Sequence, residues 1–241
     1  MLLPELRTQV LHANQQIALR GLALHTFGNA SGIHRPAGGG EAIVAIKPSG
    51  VAYDALTAAD LVLTRLDGTL VEGTLRPSSD LDTHLELYRA FPQIGGIVHT
   101  HSEFATTWAQ SGKPIPCFGT THADYFHGPV PVTGYLTESA VHRGYVLETG
   151  RLIAELFAAQ QIDPVSTPGV LVAGHAPFAW GRTPADAVEH ADLLEFIARL
   201  AWRTTLLGLA AEPLPGYIAG HHHQRKHGPN ATYGQKNPSN A

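Results

Sequence analysis

Gly95-Gly96-Ile97-Val98-His99-Thr100-His101 is the stretch that decides the reading of this chain. Two glycines open a short apolar run, the signature of a buried strand. Side chains on a strand alternate between faces, so His99 and His101 project together while Val98 and Thr100 point the other way. Two imidazoles side by side are half of a divalent-metal site; an isolated His-x-His is equally often a structural pair. Two further residues favour the metal. His175 follows a second apolar strand over residues 169–174, and Asp80 closes Arg76-Pro77-Ser78-Ser79 ahead of a helix. Three histidines and a carboxylate at the ends of ordered elements suit a zinc-like ion. Spacing alone does not bring the three segments together; the fold must.

The 241 residues are 44% hydrophobic, enough for a sizeable core, and show no linker-like shift in composition before the last thirty. One domain, 1–241, with a C-terminal tail at 212–241 is expected. A net charge of -4 gives no basic field for nucleic acid or a membrane surface. A single cysteine, Cys117, excludes an intrachain disulfide. The first residues lack a signal-peptide layout, and no apolar run approaches the roughly 20 residues that span a bilayer. A soluble cytoplasmic protein is expected.

Leu6, Val10, Ala13 and Ile17 predict an amphipathic helix over 4–20. Thr26-Phe27-Gly28-Asn29-Ala30-Ser31-Gly32 offers amides and small polar groups to an anion, or is an ordinary turn. A strand over 42–46 delivers Lys47-Pro48-Ser49-Gly50, a second candidate phosphate cradle. Thr57-Ala58-Ala59-Asp60 resembles a capping box ahead of a strand at 61–66. Leu81, Leu85 and Tyr88 share one helix face, which Ser78 or Ser79 can cap. Further helices are expected at 103–110, 137–161 and from Thr183 to about Leu207, with a short strand near Val130 and Val132. Between them lies Gly119-Thr120-Thr121-His122-Ala123-Asp124-Tyr125-Phe126, crowded with titratable groups; Asp124 is a candidate acid-base residue. The tail carries His221-His222-His223, Arg225-Lys226-His227-Gly228 and Tyr233-Gly234-Gln235, read as polar and glycine-rich, either solvated or covering a phosphate.

The ordered set Gly28-Asn29-Ala30-Ser31, Lys47-Pro48-Ser49-Gly50, Pro77-Ser78-Ser79-Asp80, His99-Thr100-His101 and His175 resembles the class II sugar-phosphate aldolase superfamily. Within it, the loop around Asp124, Pro177-Phe178-Ala179-Trp180 and the tail motifs resemble the L-ribulose-5-phosphate 4-epimerases. The likeness runs from the first helix to Gln235; the loop from Gly32 to Gly40 and the histidines at 221 and 223 depart from it. It implies an α/β fold with a mostly antiparallel central sheet flanked by helices, assembled as a four-fold homotetramer. It implies a divalent metal, Zn2+ with Mn2+ or Co2+ as alternatives, on His99, His101 and His175, with Asp80 as ligand or close partner. Gly28, Asn29, Lys47, Ser49, Gly50, Ser78 and Ser79 would hold the phosphate of a small sugar phosphate, with His222 a helper. Asp124 and Tyr233 would be the acid-base pair, Tyr233 reaching a neighbour's site. The implied reaction is retro-aldol cleavage and re-addition that inverts C4. Aldolases of the fuculose-phosphate type carry Glu where this chain has Asp80 and lack the Thr-His-Ala-Asp-Tyr-Phe loop. A structural, adducin-like member would have lost the metal histidines, and all of them are present.

Overall fold

In the computed structural model, which describes residues 1–208, 210–228 and 231, the glycines before His99 fix the centre of the molecule. A Cβ on Gly96 would lie 2.5 Å from the backbone of Pro184, and one on Gly95 would lie 2.0 Å from the Arg182 carbonyl oxygen. Only glycine lets the central strand pass so close to the start of a long helix.

The elements run α1 (Pro4–Leu19), β1 (Asn29–His34), β2 (Ile43–Ile46), β3 (Val62–Arg65), β4 (Leu70–Glu72), α2 (Leu81–Ala90), β5 (Gly96–His99), α3 (Glu103–Ser111), α4 (Thr120–Ala123), α5 (Glu138–Ala159), β6 (Gly169–Leu171), β7 (Pro177–Gly181), α6 (Pro184–Leu206) and α7 (Gly216–His227). The strands form one seven-stranded sheet in the order β4-β3-β2-β1-β5-β7-β6. Every strand pair in it is antiparallel, which is the sheet the sequence leads one to expect. The strands are short and the central ones are buried on both faces, so α2 and α5 pack on one side and α1 and α6 on the other. A Phe91, Phe157 and Trp180 cluster fills the first layer. Burial of such rings is the main favourable term in folding. Thr183 and Asp186 close a reciprocal capping box at the start of α6, behind Pro184 at the first helical position.

Several local expectations need correction. Thr57 and Asp60 do not start a helix. The Thr57 N–H and hydroxyl both donate to Asp60 Oδ2, at 2.8 and 2.6 Å, and close a turn instead. Val130 and Val132 make only isolated bridges, to Ile115 and Leu171. The helix over 137–161 is broken at Gly144, whose φ of 149° no helix contains. The Gly28–Ser31 stretch is not a loop throughout, because β1 begins at Asn29. The tail is not featureless: α7 occupies residues 216–227. Its helical period was hidden by a run of histidines and a mean hydropathy near the polar end.

Candidate active site

Three tight turns carry the histidines to one place. His99 ends β5, and His101 follows it two residues on. His175 sits in the β6–β7 hairpin, where Gly174 takes a φ of 70° and the His175 N–H donates to the Val172 carbonyl at 3.0 Å. β5 and β7 pair with His99 opposite Phe178, so the hairpin places His175 beside His99. The ring centroids are 4.9 Å apart for His99–His101 and for His99–His175, and 5.1 Å for His101–His175. Each ring offers one nitrogen, and these nitrogens lie within 4.8 Å of one another. The segment after His101 is held by Glu195 of α6, whose carboxylate accepts the N–H groups of Phe104 and Ala105 at 2.8 and 2.9 Å. That replaces the side-chain cap that Ser102 does not supply.

The electrostatics suit a cation. Burial pushes the His99 imidazole well below its ordinary pKa, with the Asp80 carboxylate opposing the shift. Burial lowers His101 and His175 in the same direction. All three rings are therefore neutral near pH 7 and can act as ligands. His99 Nδ1 donates to the Pro177 carbonyl at 2.9 Å, which leaves the Nε2 lone pair for a ligand role. That Nε2 faces His101 Nε2 at 3.2 Å. His175 Nδ1 is buried with no protein partner. Burial works to raise the Asp80 carboxyl, but His99, His84 and the Asn29 amide outweigh it and hold Asp80 ionised.

The candidate phosphate segments meet this cluster. Gly28 has a φ of 80°, and a Cβ there would lie 2.6 Å from the His99 carbonyl oxygen. Asn29 is paired in register with His99. Its amide Nδ2 donates to Asp80 Oδ2 at 2.7 Å and to Ser78 Oγ at 3.0 Å. Ser78 thus binds Asn29 rather than capping α2, which has no side-chain cap. The Ser78 N–H donates to the Lys47 carbonyl and the Ser49 N–H to the Arg76 carbonyl, at 3.0 and 2.9 Å, so the 47–50 and 76–79 turns lie against each other. Ser49, Gly50 and Ser79 are exposed at this seam. Lys47 is only 1% exposed, lies 4.9 Å above the Tyr53 ring, and forms no ion pair among the described residues. A buried ammonium without a carboxylate is costly unless an anion joins it.

Asp124 lies elsewhere. It caps the C-terminal end of α4 and is clamped by α7. His222 Nδ1 donates to Asp124 Oδ1 at 3.0 Å, Arg225 Nη2 donates to Oδ2 at 3.2 Å, and His227 Nε2 donates to the Asp124 backbone carbonyl at 2.7 Å. Partial burial would raise the Asp124 carboxyl, but hydrogen bonds from Arg225 and His222 outweigh it and keep the pKa below the usual carboxylate range. His222 therefore meets Asp124, not the phosphate seam. Tyr233 lies outside the described residues. The sequence reading passed over Arg225 and His227 as partners of Asp124, although the basic run 225–227 was visible. It also passed over Tyr145, whose ring stands edge-on to His175 at 6.0 Å; the helix break at Gly144 that presents it has no period to betray it.

A sequence model described as the Class II Aldolase and Adducin N-terminal domain matches residues 8–202. The chain belongs to this class II aldolase family. Among curated relatives, an L-ribulose-5-phosphate 4-epimerase UlaF of Salmonella paratyphi B is 48% identical over 96% of this chain and 99% of its own length. The corresponding protein of Salmonella typhi is 47% identical over the same shares. Among solved structures, an L-fuculose 1-phosphate aldolase superposes with a TM-score of 0.75 at 21% identity, covering 92% of this chain and 95% of that one. A class II aldolase superfamily protein from Pseudomonas syringae gives 0.74 at 18% identity, covering 98% of this chain and 87% of that one. These two likenesses concern the fold of the family alone. No described helix is long and apolar enough to cross a membrane.

Proposed function

We propose that the chain is an L-ribulose-5-phosphate 4-epimerase, interconverting L-ribulose 5-phosphate and D-xylulose 5-phosphate by retro-aldol cleavage and re-addition. One observation carries the choice of epimerase over aldolase: 48% identity to a named epimerase along 96% of the chain. The geometry supports the chemistry. The C4–H of the substrate is not acidic, so breaking C3–C4 is the easier route to inversion. His99, His101 and His175, with Asp80 as ligand or close partner, would hold a divalent ion, zinc first, manganese or cobalt as alternatives. Three neutral imidazoles beside an ionised carboxylate fit such an ion. Bound there, it supplies Lewis-acid stabilisation of the negative charge that develops as C3–C4 breaks.

The rest falls to the chain's own groups. Lys47, whose ammonium donates only to the Pro48 carbonyl at 3.4 Å and has no carboxylate partner among the described residues, would meet the terminal phosphate, and Ser49, Gly50, Ser78, Ser79 and Gly28 would join it. Asn29 orients Asp80 and Ser78 rather than facing the phosphate directly. The phosphate anchor keeps the cleaved aldehyde in place while it turns its other face. The C4 oxygen must give up a proton on one side and regain one on the other. Asp124 would serve one side and Tyr233 the other. Among the described residues, the hydrogen bonds of the Asp124 carboxylate go to His222 and Arg225 of α7 and none goes to His99, His101 or His175, which supports sites shared between subunits of a homotetramer. The reading is of one domain, a cytoplasmic enzyme that acts on a small sugar phosphate, with no nucleic-acid or membrane partner.

The test is a coupled assay on L-ribulose 5-phosphate that detects D-xylulose 5-phosphate, with metal content measured on the same sample. Metal-dependent formation of the product is expected. Full activity of a chelated, metal-free sample would remove the metal. Cleavage of L-fuculose 1-phosphate with no epimerisation would turn the assignment to an aldolase.

A further inference from the structure

Behind the histidines lies a buried polar row that the mechanism above does not use. Ser31 Oγ lies 2.7 Å from His84 Nδ1 and 2.8 Å from the Tyr88 hydroxyl. All three residues are at most 1% exposed. The other ring nitrogen, His84 Nε2, is buried with no partner among the described residues, and so is Asn29 Oδ1. Such orphans are rare in folded proteins and call for a partner. Asn29 and Ser31 are two apart on β1, so their side chains share one face of the sheet. His84 rests against that face and is one helical turn from Asp80, whose carbonyl accepts the His84 N–H at 3.1 Å. Its ring also meets Phe178 edge-on at 6.0 Å, and Phe178 stacks on His99 at 4.2 Å.

We infer that His84 is a positioning residue for Asp80, acting through one bound water shared by His84 Nε2, Asn29 Oδ1 and the Asp80 carboxylate. The inference rests on the reading of Asp80 as part of the active site. Its logic is a count of donors. With Tyr88 taken as donor to Ser31 and Ser31 as donor to His84 Nδ1, the ring proton sits on Nε2. With Nδ1 protonated instead, the water would have to give one of its two hydrogens to His84 Nε2 and could no longer donate to both Asn29 Oδ1 and Asp80. With Nε2 protonated, a water accepts from His84 and donates once to Asn29 Oδ1 and once to Asp80. That gives it three partners, the usual number for a buried water. Asn29 then grips Asp80 from two sides, directly by Nδ2 and through the water by Oδ1. The polar row transmits a fixed orientation from the core to the carboxylate, as partners behind metal ligands commonly do.

The experiment uses the metal-loaded full-length enzyme. A high-resolution crystal structure should show a water within hydrogen-bond distance of His84 Nε2 and Asn29 Oδ1. Nitrogen-15 NMR should report His84 as the neutral Nε2–H tautomer. An Nδ1–H tautomer, or no water at that position, overturns the inference. His84→Leu should lower kcat by about 10- to 100-fold with metal retained and KM little changed. His84→Gln, whose amide can donate where Nε2 does, should recover part of that loss. Tyr88→Phe keeps the core filled and should cost about 2- to 10-fold in kcat, the worth of one neutral hydrogen bond. A merely structural His84 would lower Tm and leave the kcat of folded, metal-loaded enzyme unchanged in all three variants, which also overturns it. Failure of wild-type enzyme to epimerise L-ribulose 5-phosphate would instead sink the functional assignment; the water and tautomer measurements need no substrate and judge His84 separately.

Discussion

The histidine cluster and the Asp124 clamp are built on different physical terms. The cluster hangs on β5, β7 and the turns beside them: His99 is buried at the end of β5 and tied to the Pro177 carbonyl, while His101 and His175 stand in the adjoining turns, exposed and half-buried. The clamp is a short helix, α4, tied to α7 by hydrogen bonds from His222, Arg225 and His227, at sites that water reaches. α7 itself buries no residue completely. Preorganisation of the first kind holds ligand atoms to tenths of an ångström; that of the second leaves a segment free to open and close. The difference matches the roles proposed above, a rigid site for a cation and a more open one for an acid-base group.

Changes that break this contrast most sharply come first. His99→Asn should abolish metal binding, read by elemental analysis, and cost at least about 1,000-fold in turnover, the several kcal/mol of charge stabilisation that a metal supplies. Asp124→Asn should leave metal content and fold intact, yet slow epimerisation by about 100- to 10,000-fold, the range for a lost acid-base group. Wild-type turnover in that variant would remove Asp124 from the chemistry.

Acid should separate the two regions as well. His84 has a pKa pushed down to about 4 by burial, from 6.5. A histidine lowered on folding gives stability that is whole above 6.5 and drains away as pH falls toward 4, because only the unfolded chain takes the proton. That is worth at most on the order of 3 kcal/mol, visible as a lower urea midpoint at pH 4.5 than at 7.5. The Asp124 clamp runs to more acid pH. Its carboxyl pKa is lowered in the folded state, so its contribution is whole above the ordinary 3.8 and is lost only as pH falls through the folded value. The contacts of Arg225 and His222 to Asp124 should therefore be lost at a lower pH than the one at which His84 begins to cost stability. Arg225→Ala should raise the pH at which α7 opens; an unchanged opening pH would mean that Arg225 does not hold Asp124.

The smallest expected effects concern two glycines. Gly96→Ala drives a Cβ to within 2.5 Å of the Pro184 backbone and should cost about 1–3 kcal/mol by overpacking. Gly144→Ala meets nothing within 4 Å, so its cost comes from the φ of 149° alone, about 1–3 kcal/mol, or less if α5 straightens. Straightening would carry Tyr145 away from His175, which a change in KM would register.

The sequence by itself determined what depends on local pattern. The two-residue period put His99 and His101 on one face, two glycines opened the run that became β5, and Thr183 with Pro184 announced α6. Apolar spacing gave α1 to within a residue and the inward face of α2, and the motif set led to the family that the comparisons bear out. Tertiary structure alone decided what depends on partners distant in the chain. β7 pairs with β5 across some eighty residues, and that pairing is why His175 reaches His99. Asn29 holds Asp80 across the sheet, His84 finds Ser31 from another element, and α7 meets Asp124 through His222 and Arg225. None of these has a period to read. A short apolar strand led by proline, or a helix made of histidines, is stable only where another surface satisfies it, and the identity of that surface is set by how the layers close.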